Sequence, residues 1–96
     1  MKKHKTMSFS REGKFLALVA TIVAVVEPIM AIPQALEIWI NQSAVNVSFI
    51  TWGFSLFAAL VWLVYAISIK NLPLLISSIL WVLVESAIVL GIIVFS

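Results

Sequence analysis

Three long apolar runs, joined by connections too short to hold anything else, decide what this chain can become. The first is FLALVATIVAVVEPIMAIPQALEIWI from Phe15 to Ile40. The second, VSFITWGFSLFAALVWLVYAISI, covers about 47–69, and the third, LPLLISSILWVLVESAIVLGIIVF, covers about 72–95. A helix that crosses a bilayer needs about 20 mostly apolar residues, and each run supplies them. The connections NQSAVN and KN are short and polar, so consecutive spans return antiparallel to one another. The expected fold is an all-α membrane protein. One domain over residues 15–96 holds three transmembrane helices at about 15–40, 47–69 and 72–95, in a triple-helix bundle, after a basic tail at residues 1–14. Composition agrees with lipid as the solvent: 64% of the 96 residues are hydrophobic and 10% are charged, against about 25% charged in soluble domains. A basic start before an apolar stretch also has the pattern of a cleaved leader, but the run continues past Glu27 and is read as a span.

Polar groups inside these runs carry the functional signal. Glu27 lies twelve residues after Phe15, and Glu85 lies thirteen after Leu72. At about 1.5 Å per residue both fall near or somewhat past the middle of a hydrocarbon core about 30 Å thick. A charged side chain there costs about 2.5–3.5 kcal/mol on insertion scales, and no lysine or arginine lies at comparable depth. Two readings stay open: neutral acids that hydrogen-bond between helices, or carboxyl groups that couple transport to protons or cations. Trp39 and Trp52, near span ends, fit an interfacial aromatic belt. Trp62 and Trp81 lie deeper, where an indole N–H needs a partner within the protein or a watery cavity.

Helical spacing sorts these residues into faces. Glu27 and Gln34 are seven apart and share one side of the first helix, as far as Pro33 leaves it straight. Ser55 and Trp62 are seven apart on the second, with Tyr65 three further on. Ser78, Trp81 and Glu85 follow one another by three and four on the third. Three polar or aromatic stripes need a place to converge, and a pocket lined by water or ligand fits them better than back-bonded packing. Three helices enclose a pathway poorly, and the sequence shows no internal duplication, so a second copy related by a twofold axis is expected to complete it.

The motif set AIPQALEIWINQSAVNVSFITWGFSLFAALVWLVYAI resembles the PQ-loop repeat, with Pro33, Gln34, Ser48, Thr51, Trp52, Trp62 and Tyr65 in order. A three-span chain with one such repeat is similar to the SemiSWEET family, half-sized bacterial relatives of the SWEET sugar transporters. The resemblance runs from residue 27 to about 85. SWEETs are built from parallel repeats related by an axis along the membrane normal. What the resemblance implies is a parallel homodimer that moves mono- or disaccharides by alternating access, without ATP, in a prokaryotic inner membrane. The Pro-Gln proline would let the first helix bend, since Pro33 removes the hydrogen bond to the Ile29 carbonyl. Pro28 adds a second weak point, and Gln34 is placed to satisfy freed backbone groups. Trp62 matches the family's sugar-stacking tryptophan, and Ser78, with Ser77 beside it, stands where the family has an asparagine. Trp81 joins them as a candidate solute contact. Tyr65 matches an outer-gate tyrosine, but Ile69 and Asn71 replace the expected arginine and aspartate, and Lys70 lies about 100° round the helix.

Orientation and cargo stay open. Lys2, Lys3, Lys5, Arg11 and Lys14 precede the first run, which predicts a cytoplasmic N-terminus, whereas the resemblance implies the opposite. Glu27 and Glu85 fall outside the family pattern and favour an alternative: a proton-coupled transporter of an amino acid or organic cation. A non-transporting membrane subunit is the reading from a different class. No enzyme is expected, because His4 is the sole histidine and no nucleophile–base set or metal cluster is present. No cofactor or nucleic-acid partner is expected; the basic tail suits anionic lipid headgroups.

Overall fold

The structure, a computed structural model, describes residues 11–96; Lys2, Lys3, Lys5 and His4 of the basic tail lie outside them. Four helices follow in order: α1 (Arg11–Met30), α2 (Ile32–Asn41), α3 (Phe49–Ile69) and α4 (Leu72–Phe95). The helices α1 and α2 together form one apolar span, Gly13–Asn41, so the described chain holds three spans long and apolar enough to cross a membrane. Both ends of α3 and the start of α4 are set by local chemistry. The Ser48 hydroxyl accepts from the Thr51 amide at 3.1 Å, which gives the Ser-Thr pair of the motif a plain capping role. The Asn71 side chain accepts from the Leu74 amide at 3.1 Å. Gln42 and Lys70 close α2 and α3 in the left-handed region, at φ 52° and 55°. The amides of Ser43 and Asn71 then bond back to the Ile38 and Ala66 carbonyls, a Schellman closure.

The last span is the middle of the bundle. α4 packs against α1, α2 and α3, while neither α1 nor α2 touches α3. Chain order does not predict this, because short loops fix which spans are antiparallel but not which one lies between the others. The α4 sequence explains it. It buries Ser77, Ser78, Glu85, Ile88, Gly91 and Ile92, several of them small enough for two backbones to approach on different sides. Most large apolar side chains of the other helices face outward, as suits an element whose solvent is lipid.

The first span is interrupted at Ala31, inside the rung that Pro33 was expected to remove by leaving the Ile29 carbonyl without its donor. The Ala31 amide bonds to the Pro28 carbonyl at 3.1 Å, and its own carbonyl accepts from the Gln34 backbone amide at 3.1 Å. An unbroken helix would push the Pro33 ring against the Ile29 carbonyl. Breaking at Ala31 puts Pro33 in the first turn of α2, where its missing N–H is no loss. The Gln34 side chain makes no hydrogen bond to this break among the described residues.

Pro28, inside α1 and fully buried, has the larger consequence. It removes the donor that would have met the Ala24 carbonyl, and the Ser77 hydroxyl of α4 donates to that carbonyl at 2.6 Å. A side chain from one span thus replaces a missing rung in another. Ser77→Ala is expected to lower stability in detergent micelles by about 1 kcal/mol. In a Pro28→Ala background, where the backbone recovers its donor, the same change should cost almost nothing. Equal losses of thermal stability in both backgrounds would contradict the pairing.

The apolar core, Ala35, Ile38, Ala44, Ile88 and Ile92, joins α2, the 42–48 connection and the C-terminal half of α4. Trp39 seals it. Its Nε1 donates to the Ala87 carbonyl at 2.8 Å, and its ring meets Phe95 edge-on at 5.2 Å. Trp52 packs against the same core.

Candidate functional site: the cleft between α3 and α4

Ser55, Ala58, Ala59 and Trp62 project from α3, and Leu74, Ser77, Ser78, Trp81 and Glu85 from α4, into one open cleft of about 320 Å³. The steps of three and four in both sets put them on facing helix sides. Ala58 and Ala59 leave the hollow that larger side chains would fill. Ser78 and Glu85 form the floor, at 2% and 3% exposure, and Trp62 stands at the rim, about half exposed. The stripes expected on the second and third helices therefore do converge.

Polar atoms in this cleft are short of partners. The Ser78 Oγ and the Glu85 Oε1 are buried without a hydrogen bond among the described residues. Among the described residues neither Trp62 nor Trp81 donates its indole N–H, whereas Trp39, expected at the membrane interface, does. Buried polar groups are normally paired, so unspent donors and acceptors in one hollow mark a place where something else supplies the partners. Ser77 differs from its neighbour: its hydroxyl hydrogen is committed to Ala24. Ser55, on the expected stripe but not among the expected contacts, lines the same cleft as Glu85, from the α3 side.

The stripe of the first span does not reach the cleft. Glu27 is exposed and lines a separate apolar groove with Val23, Val26 and Met30, in which Trp81 is the shared wall. Gln34, beyond the break, lines a polar hollow with Glu37, Asn41, Ser43 and Asn46. The Ala31 break lies between the two. Pro28 and Pro33 flank that break. Tyr65 stands outside the cleft, half exposed, with its ring edge-on to Trp62 at 5.9 Å. Thr21 bonds to its own helix, at the Ala17 carbonyl.

Comparison with known proteins decides the family. The sugar transporter SemiSWEET of Vibrio sp. (strain N418) is 32% identical over 85 residues, covering 86% of this chain and 88% of that protein. The chain belongs to the SemiSWEET family. No protein-family model and no solved structure matches it. As a SemiSWEET with three membrane-spanning stretches, it is an integral, multi-pass membrane protein.

Two structural features of this SemiSWEET escaped the sequence. Ser55 lacked a visible partner, because its relation to Glu85 depends on how α3 meets α4. The Ala24 carbonyl is a backbone group, and its only signal was a proline four residues later.

Proposed function

We propose that this SemiSWEET carries small sugars across a prokaryotic inner membrane as a parallel homodimer, by alternating access. One observation carries the reading: the cleft between α3 and α4 sets two indoles beside hydroxyl and carboxyl groups that lack partners. An indole face suits the C–H side of a sugar ring, and the polar atoms suit its hydroxyls. The name of the Vibrio relative, a sugar transporter, points the same way. A second copy follows from solvation. Acyl chains offer nothing to Ser78 or Glu85, and another protomer over the cleft would enclose them with water and solute. Bending at Ala31, between Pro28 and Pro33, would open one end of the pathway while closing the other, with Tyr65 beside Trp62 as a gate.

Labelled glucose should enter proteoliposomes down its own gradient, without a proton gradient, and protein-free vesicles should stay near background. Absence of uptake for any mono- or disaccharide would refute the sugar reading. Because Glu85 lies in the cleft, proton-coupled transport is the second reading. It predicts uptake that requires an inward proton gradient.

A further inference from the structure

We propose that Glu85 makes the cleft selective for solutes bearing a protonated amine, so that an amino sugar is preferred to the neutral sugar of the same shape; this rests on the sugar-transport reading above. Glu85 is 3% exposed, its Oε1 has no partner among the described residues, and it lines the cleft together with Trp62, Trp81 and the unpartnered Ser78. Ser55 adds a hydroxyl to the lining from α3. No lysine, arginine or histidine lines the cleft. Lys14 and Lys70 stand near the ends of their helices, so the described residues bring no cation to this carboxylate.

That deficit defines the ligand. A buried carboxylate without a counter-charge is unfavourable, and a neutral sugar hydroxyl relieves only its hydrogen bonding. An ammonium group relieves both charge and hydrogen bonding, with a charge-assisted bond stronger than a neutral one. Indole faces attract the same group through their quadrupole, and the cleft offers two. The Ser78 hydroxyl is left for a ring hydroxyl. Glu27 does not compete for this role, because it opens into the other groove, beyond Trp81.

Glucose and glucosamine differ by one hydroxyl replaced with one amine, which makes them the test pair. In proteoliposomes without a proton gradient, unlabelled glucosamine should inhibit labelled glucose uptake at a concentration about tenfold or more below that of unlabelled glucose. Intrinsic tryptophan fluorescence should give the same order of affinities. Glu85→Asp, which keeps the charge, should retain the preference, and Glu85→Gln should bring the two affinities together. Equal inhibition by the two sugars in the wild-type protein overturns the proposal while leaving sugar transport standing. A preference that survives Glu85→Gln also overturns it, as does glucose uptake that depends on a proton gradient and on Glu85. If neither sugar binds or moves, the transport reading itself fails and takes this proposal with it.

Discussion

Trp62→Ala is expected to reduce glucose uptake into proteoliposomes by about 30-fold or more, while the protein still inserts and unfolds at nearly the wild-type temperature. The size follows from the loss of an aromatic anchor for the sugar, for which truncation costs about 2 kcal/mol or more. Structural sparing follows from position. Trp62 is 53% exposed at the rim of the cleft; among the described residues it donates no hydrogen bond, and its one ring contact is the edge of Tyr65. Little of the fold leans on it. Phenylalanine at the same position keeps a ring face for the sugar and should recover part of the uptake. Unchanged uptake in the alanine variant would remove Trp62 from the pathway. A collapsed melting temperature would make its role structural.

Gly91→Val is expected to destabilise the bundle by about 2–4 kcal/mol and to abolish uptake by loss of folded protein. A Cβ on Gly91 would lie 2.6 Å from the Ile38 Cγ2 and 3.0 Å from the Trp39 Nε1. Ile38 is fully buried in the core, so it cannot swing clear. The α2 segment would have to lift from α4. That adds an overpacking cost of about 1–3 kcal/mol to the loss of the Trp39–Ala87 hydrogen bond, about 1 kcal/mol. Gly53 provides the control, because nothing lies within 4 Å of its missing Cβ. Gly53→Ala should be neutral or gain roughly 0.5–1 kcal/mol from better helix propensity. Thermal unfolding in micelles reads both, and a wild-type midpoint for Gly91→Val would contradict the close α2–α4 contact.

Periodicity told most where a helix is regular. Ser55 and Trp62 on one helix, and Ser78, Trp81 and Glu85 on another, share faces because 3.6-residue geometry holds through α3 and α4, and those faces do meet. For Glu27 and Gln34 the same arithmetic has to cross the Ala31 break, and the two line separate hollows. Pro33 was visible as a disruption, and the interruption at Ala31 falls between Pro33 and the Ile29 carbonyl it leaves without a donor. A proline clashes with the turn before it, so the break falls on the N-terminal side. The central place of α4 was not legible either. It depends on which helix is small and polar on more than one side, a property that hydropathy averages away. The tryptophans show the limit of reading depth alone. Depth places Trp39 near a span end, but its partner, a carbonyl on α4 that lies 48 residues away in sequence, depends on the tertiary fold.

The central claim is that two copies of this chain share one sugar pathway along their α3–α4 clefts. Mixing wild-type protein with Trp62→Ala protein before reconstitution, at constant total protein, tests it most directly. If uptake needs an intact cleft from both protomers, it falls with the square of the wild-type fraction, to about a quarter of full activity in an equal mixture. Activity that falls in direct proportion to the wild-type fraction, to about half in the same mixture, would show that each chain works alone and would contradict the account.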